Sequence, residues 1–252
     1  MIPSIKNFTP PGNASPYNPA KTVTVPTGGE AEIKLKGRGA DVFGLTRILP
    51  YCSNLAGIEI AARLNNERIL FEPIQLSAVR ELFVDSELLA PLIIQKNNDL
   101  QFTLTNTTGA DIDTNIELLG YDGPTLRKLV TMYDDKGIEM PTPVFLFAKE
   151  EIAAGAENQA VAIPSKSVDI ELLRAAIRTD SDDDMTVSLE IYNETVKNSV
   201  FVQQFNDEFS NGRRSFVPIE VGKNVPVTLN ASNANVAAQT LSFFGEGYVY
   251  EN

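Results

Sequence analysis

The chain has 252 residues, a formal net charge of −12 and a sequence pI near 4.5, with no histidine, no tryptophan and one cysteine. The missing histidines exclude imidazole catalysis and most zinc or copper sites, and a single cysteine, Cys52, excludes an intrachain disulfide. The negative charge repels nucleic-acid backbones, so we expect no direct sequence-specific contact with nucleic acid.

The same composition favours a folded, non-catalytic protein. The hydrophobic fraction of 43% is close to the globular average. The length suits two domains of about 100–150 residues each. No apolar run approaches the roughly 18–20 residues that cross a bilayer, and the first residues lack the apolar stretch of a signal peptide. We therefore expect a soluble, unprocessed chain with no cofactor and no enzymatic activity.

The N-terminal segment, residues 1–20, differs in composition from the rest of the chain. It contains Pro3, Pro10, Pro11, Pro16 and Pro19, together with asparagine and serine and with little apolar content. Such a segment lacks the pattern of a hydrophobic core. Residues 1–20 are therefore predicted to form an extended N-terminal arm that lies on a neighbouring chain.

Residues 21–123 carry the pattern of short β-strands. Leu100, Phe102 and Leu104 alternate with polar residues, which is the period of a half-buried strand. Further short apolar segments between turn residues bring the number to about eight strands, as a jelly roll requires. One helix, from Leu76 to Leu89, is predicted as an insertion between strands.

Residues 124–144 are predicted to form a helical joint and a linker between two domains. A helix from Pro124 to Tyr133 presents an apolar face that needs a cover, either from its own domains or from a neighbouring subunit. The candidate interface residues on this helix are Pro124, Leu126, Leu129, Val130 and Tyr133.

Residues 145–252 show the strand pattern again. Apolar and polar residues alternate from Val187 to Ile191, and Val200 and Val202 are interpreted as part of a further strand. This second unit is predicted to have the same jelly-roll architecture as the first.

An acidic cluster lies between two strands of the second unit. Asp180, Asp182 and Asp184 offer carboxylate oxygens of the kind that bind Ca²⁺. The run lacks the glycine and the distal bidentate glutamate of a calcium loop. A solvated turn is therefore the favoured interpretation, and a weak calcium site is the alternative.

The second half of the chain resembles the first. Leu100–Asn106 resembles Val225–Ala231, and Gly120 matches Gly245 at the same spacing, which is close to half the chain. Matched segments at a fixed spacing indicate an internal repeat.

Further matches follow in the same order along the chain. Pro91–Asn97 resembles Pro218–Asn224 at a slightly larger spacing, and Ile60–Phe71 resembles Ile191–Phe201. The predicted fold is therefore all-β, with two tandem jelly-roll (β-sandwich) domains related by internal duplication and short helical insertions. The alternative is a pair of unrelated β domains that share generic strand patterns.

A duplicated jelly roll of this size, with a proline-rich arm, a helical insertion and no catalytic residues, resembles the double jelly-roll major capsid proteins of tailless double-stranded DNA bacteriophages and related viruses. The resemblance implies a virion structural protein, made in the host cytoplasm, that self-assembles as homotrimers and forms pseudo-hexagonal capsomers. Its expected partners are copies of itself and other virion proteins. A second hypothesis is a phage decoration, fibre or receptor-binding protein made of two β-sandwich domains, because fold alone does not fix function.

Overall fold

The computed structural model describes residues 19–36, 42–65, 68–85, 87–88, 90–95, 98–137, 140–181, 184–209 and 218–249. The predicted N-terminal arm lies outside the described residues except for its last two, Pro19 and Ala20. The strands of the first half are β1 (Ala20–Val25), β2 (Glu30–Lys36), β3 (Phe43–Tyr51), β4 (Ile58–Leu64), β5 (Arg68–Gln75), β6 (Leu92–Ile94), β7 (Asp99–Asn106) and β8 (Ile112–Tyr121). Those of the second half are β9 (Thr142–Ile152), β10 (Gln159–Ile163), β11 (Ile170–Arg178), β12 (Met185–Ile191), β13 (Glu194–Phe201), β14 (Ile219–Val221), β15 (Val227–Asn233) and β16 (Gln239–Val249). The helices are α1 (Leu76–Phe83), α2 (Gly123–Asp135) and α3 (Val202–Phe209).

The described strands form four antiparallel sheets of four strands each. The first half forms the sheets β1-β8-β3-β6 and β2-β7-β4-β5, and the second half forms β9-β16-β11-β14 and β10-β15-β12-β13. Strand for strand, the order is the same in both halves. Each half is an eight-stranded jelly roll made of two facing sheets. The predicted all-β fold of two tandem jelly rolls with short helical insertions is confirmed.

The hydrophobic core of each roll lies between its two sheets. In β7 the side chains of Leu100, Phe102 and Leu104 are fully buried, while their neighbours in sequence are partly exposed. In β15 the residues Val227 and Leu229 follow the same pattern. The period of two in the sequence therefore identified these strands and their buried faces correctly.

The strands that form the core define the spacing of the repeat. Leu64 pairs with Leu100 across β4 and β7, and Ile191 pairs with Val227 across β12 and β15. Leu100 therefore corresponds to Val227 and not to the predicted Val225. We call the separation between Leu100 and Val227 the repeat spacing. The prediction was displaced by an even number of positions, which keeps every side chain on the same face of a strand, so alternation alone cannot detect the error.

The same correction applies to the glycine that lies next to a β-bulge in each roll. Gly120 pairs with Leu45 next to a bulge in β3, and Gly247 pairs with Leu172 next to a bulge in β11. Gly120 therefore corresponds to Gly247 and not to Gly245. The predicted match between Ile60–Phe71 and Ile191–Phe201 is also wrong, because the counterpart of β4 is the whole of β12.

Helices α1 and α3 differ from the sequence prediction. α1 ends at Phe83, well before the predicted Leu89. α3 was missed, because Val200 and Val202 suggested a strand and β-branched residues favour strands. Val202 is in fact the first residue of α3, and the buried residues of this helix recur at helical spacing. α3 is the counterpart of α1, since each follows the fifth strand of its roll.

An asparagine organises the same loop in both rolls. The side-chain amide of Asn106 donates to the carbonyl oxygens of Val25 (3.0 Å) and Ala110 (2.7 Å). The amide of Asn233 donates likewise to Ile152 (3.1 Å) and Ala237 (3.0 Å). Both asparagines are buried, and both tie the end of one strand to the loop that follows it.

We predict that Gly120→Ala destabilises the first roll. An added Cβ would lie 2.3 Å from the carbonyl oxygen of Gly44, a backbone atom that cannot move aside alone. The expected loss is about 1–3 kcal/mol, the range for overpacking. Gly109→Ala is the matched control, because its Cβ would meet no atom within 4 Å. Thermal unfolding should show a lower midpoint only for Gly120→Ala, and equal midpoints would contradict the close approach.

Candidate assembly surfaces and the junction between the jelly rolls

Helix α1 lies at the junction between the two rolls. It packs on β3 of its own roll and on β11 and β16 of the second roll. Its five apolar side chains are all buried, namely Leu76, Ala78, Val79, Leu82 and Phe83. A helix that is covered on two sides joins the two cores into one structure.

An aromatic cluster fills the centre of this junction. Phe71 and Phe83 come from the first roll, and Phe145 and Phe244 come from the second. The ring centroids of Phe71 and Phe244 are 4.9 Å apart with an edge-on geometry, and those of Phe145 and Phe244 are 5.2 Å apart and stacked. All four side chains are buried. Each such pair contributes about 0.5–1.5 kcal/mol beyond the burial of its area.

Two arginines at equivalent positions both bind the C-terminal end of α1. Arg47 in β3 and Arg174 in β11 are separated by the repeat spacing, and each lies next to its strand's bulge. Nε of Arg47 donates to the carbonyl of Phe83 at 3.1 Å. Nη1 of Arg174 donates to the carbonyl of Leu82 at 3.2 Å. The last carbonyls of a helix have no partner within the helix, and positive charge at this end is favourable.

The charge of Arg174 is balanced by a buried carboxylate. Nε of Arg174 donates to Oε2 of Glu246 at 2.7 Å, and Glu246 is fully buried. Tyr248 donates its hydroxyl proton to the other oxygen of Glu246. The backbone N–H of Ala90, from the first roll, donates to the Tyr248 hydroxyl at 3.2 Å. Burial, together with the adjacent Glu246 charge, raises the pKa of Tyr248 well above its usual range, so the hydroxyl stays a donor.

Three polar contacts also join the first roll to the second. Nζ of Lys149 in β9 binds Oε2 of Glu59 in β4 at 2.7 Å. Arg178 in β11 binds Glu81 in α1. The backbone N–H of Gln75 donates to Oγ of Ser242 at 3.1 Å. These contacts fix how the second roll is placed on the first, because polar groups must meet their partners to be buried without loss.

The acidic cluster is part of this same structure. Asp180 accepts from Nε2 of Gln75 at 3.0 Å and from the backbone N–H of Thr240 at 2.8 Å. Asp184 accepts from Oγ of Ser181 at 2.9 Å. Asp182 lies outside the described residues. The part of the chain that the structure describes brings no three metal-ligating side chains together. The favoured solvated turn and the alternative of a weak calcium site both stay untested.

Helix α2 begins as the sequence suggested. The carboxylate of Asp122 accepts from the backbone N–H of Thr125 at 3.0 Å, and a proline lies in the first turn. The structure buries Leu126 and Leu129 within the subunit. A Cβ added to Gly44 in β3 would lie 2.9 Å from Cδ1 of Leu126, so this face covers the first roll.

The remaining apolar residues of α2 are exposed or only partly buried. Pro124 and Met132 are exposed, and Val130 and Tyr133 are partly buried. Of the five predicted interface residues, Leu126 and Leu129 are thus used inside the subunit. Pro124, Val130 and Tyr133 keep surface that a neighbour could cover.

No family model matches the sequence, and no curated protein matches it. The structure, however, is similar to the crystal structure of the STIV major capsid protein. The similarity covers 93% of this chain and 97% of that one, with a TM-score of 0.52 and 11% sequence identity. The chain has the double jelly-roll fold. The resemblance expected from the repeated strands is thus confirmed at the level of fold.

No helix in the described ranges is long and apolar enough to span a membrane.

The sequence analysis did not predict a junction at Phe71, Phe145 and Phe244, because in a strand they look like ordinary core residues. β16 is buried on both faces, yet one of its two alternating sets of side chains includes Thr240, Ser242 and Glu246, so the sequence shows no continuous apolar run that would have marked it as covered on both sides.

We predict that Arg174→Met weakens the junction strongly. The change leaves Glu246 buried without its cation, which costs about 3–5 kcal/mol. The double variant Arg174→Met/Glu246→Gln should recover most of this loss, since the neutral amide can still accept from Tyr248. Arg47→Met is the matched control, because it removes bonds to the same helix end and leaves no buried charge.

Denaturant unfolding would measure these differences. The expected order of stability is parent, then the Arg47 variant and the double variant, then Arg174→Met. An Arg174 variant as stable as the Arg47 variant would show that the ion pair does not hold the junction.

Proposed function

We propose that the chain is a capsid protein, and that three copies form a pseudo-hexagonal capsomer of a virion shell. The observation that carries the proposal is the extent of the structural match, which covers nearly the whole of this chain and of a viral major capsid protein. The same two-roll architecture therefore accounts for almost the whole of both chains.

The geometry of a duplicated chain supports this role. Each chain supplies two similar rolls, so three chains supply six similar units around one axis, and such a unit can tile a hexagonal lattice. The partners of the chain are then other copies of itself and other virion proteins, and its place is the virion after synthesis in the host cytoplasm. The negative net charge keeps free subunits soluble before they assemble.

The same proposal assigns roles along the chain. Residues 1–20 form an arm on a neighbouring subunit, residues 21–123 and 145–252 form the two rolls, and residues 124–144 connect them. The role is structural and not catalytic. The ionisable side chains that the described structure gathers at the junction, Arg174, Glu246 and Tyr248, are used to bind each other and the end of α1.

The solvent side of α2 is proposed to contribute to contacts between subunits. Met132 is 40% exposed and lies with the exposed Pro124 on one shallow surface. Val130 and Tyr133 follow the buried Leu126 and Leu129 at a spacing of four residues, so they border the inner face and keep only part of their surface exposed. Apolar side chains that stay exposed together, such as Pro124 and Met132, are typical of surfaces that other proteins cover.

Sedimentation of the purified chain tests the capsomer. One chain has a mass of 27.5 kDa, and we expect a species of three times that mass, with larger shells at higher concentration. Electron microscopy should show particles with a hexagonal outline. A strict monomer that binds cells or glycans would contradict the proposal and favour a receptor-binding, fibre or decoration protein.

Two substitutions on α2 separate its outer side from its inner side. Met132→Asp changes an exposed side chain, so we expect a smaller trimer fraction in sedimentation and an unchanged thermal midpoint. Leu129→Asp places a charge at a site that is 4% exposed, and should lower subunit stability by several kcal/mol. If Met132→Asp leaves the trimer unchanged, α2 lies outside the contact.

A further inference from the structure

The junction uses one face of each roll. Because the two rolls share one strand order, each of these faces has an equivalent face on the other roll. In the junction, β4, β5 and α1 of the first roll contact the outer face of β9, β16 and β11 of the second. The counterparts are β12, β13 and α3 of the second roll, and the outer face of β1, β8 and β3 of the first. We call the first of these the α3 face, with Thr186, Lys197, Phe201 and Asp207. The other is the β8 face, with Thr22, Tyr51, Asn115 and Glu117.

We propose that the α3 face of one subunit binds the β8 face of a second copy, in the arrangement that joins the two rolls within one chain. This inference rests on the proposed capsomer and names the surfaces that form it. A head-to-tail contact of this kind closes into a ring when its rotation permits. Four contacts of the junction can be compared with their counterparts, one by one.

The centre of the α3 face is an exposed aromatic ring. Gln75 pairs with Glu59 across β5 and β4, and Phe201 pairs with Thr186 across β13 and β12, so Phe201 is the counterpart of Gln75. Phe201 is 54% exposed. The partner of the Gln75 backbone is Ser242, and the repeat spacing makes Asn115 the counterpart of Ser242. Phe201 should therefore lie on Asn115 of the next subunit.

A salt bridge of the junction is replaced by two neutral residues. Within the chain, Lys149 binds Glu59. The counterpart of Lys149 is Thr22, which pairs with Asn115 as Lys149 pairs with Ser242. The counterpart of Glu59 is Thr186. Both charges are thus absent together, and neither face keeps an unpaired ion at this point.

An aromatic pair of the junction is replaced by opposite charges. Phe71 pairs with Ala62, and Lys197 pairs with Leu189, which is the counterpart of Ala62, so Lys197 is the counterpart of Phe71. The repeat spacing likewise makes Glu117 the counterpart of Phe244. Where two rings meet inside the chain, Glu117 would meet Lys197, which also binds Glu208 within its own subunit.

The fourth contact keeps an acid opposite a base, but another residue supplies the base. Arg178 binds Glu81 in the junction. The counterpart of Glu81 on α3 is the acidic Asp207, and the counterpart of Arg178 is Tyr51. The guanidinium of Arg80 lies over the Tyr51 ring, 5.1 Å from its centroid, and returns a positive charge to this position. Asp207 would therefore meet a cation again.

The changes occur in matched pairs across the two faces. Two charges disappear together, two rings become Glu117 and the Lys197–Glu208 pair, and Asp207 keeps a base opposite it. Each change on one face is thus accompanied by a compatible group on the other. Complementary charge also selects the correct partner and rejects like charge, which is how such contacts gain specificity.

Cysteine cross-linking tests the contact in the full chain. The parent for this test carries Cys52→Ser, which removes the one native thiol. Into it we place Phe201→Cys with Asn115→Cys. In the junction, the corresponding contact from the Gln75 nitrogen to Ser242 Oγ is 3.1 Å long. Such a contact brings two Cα atoms to within about 7 Å, the upper limit for a disulfide.

The in-chain pair Gln75→Cys with Ser242→Cys is the matched control. After mild oxidation, it should close a disulfide inside the chain and leave the mass unchanged. The Phe201/Asn115 pair should instead give covalent dimers and trimers on a non-reducing gel, and each single substitution should give none. A chain that sediments as a trimer, closes the control disulfide and shows no disulfide between chains would overturn the proposed contact while leaving the capsomer intact. A chain that remains monomeric would overturn both.

Discussion

The rest of the structure depends on the burial of helix α1 between two jelly rolls. A helix as short as α1 is not stable alone, so its packing on both rolls must hold it in place. Its free carbonyl ends are bound by Arg47 from one side and by Arg174 from the other. Arg174 also binds the buried Glu246. The end of α1, this ion pair and the second roll therefore form one connected unit. The two rolls are thus joined into one subunit by a shared junction.

This junction also determines which faces of the two rolls stay on the surface of the subunit. It covers the helix side of the first roll and the outer sheet of the second, and it leaves the reverse pair of faces uncovered. The covered pair is centred on aromatic rings such as Phe71 and Phe244. At the corresponding positions the uncovered pair carries Lys197 and Glu117, as expected for faces that contact water in the free subunit.

The sequence was sufficient for the fold and insufficient for the surfaces. Alternating apolar residues identified the strands, and their repetition predicted the duplication. Leu100 was matched to Val225 instead of Val227 because that displacement leaves the buried face unchanged. Leu129 was predicted at an interface but is buried in its own subunit, since an apolar helix face does not say which body covers it. The junction required knowledge of which strand has both faces covered, and that depends on tertiary packing.

The bonds of Arg47 and Arg174 also make the subunit asymmetric, although its two rolls share one strand order. Arg47 binds the end of its own roll's helix, and Arg174 binds the end of that same helix from the other roll. The equivalent helix α3 packs mainly on β11, β12 and β13 of its own roll. A change that loosens the end of α1 would therefore act on both rolls at once, whereas the same change in α3 would act mainly on the second roll.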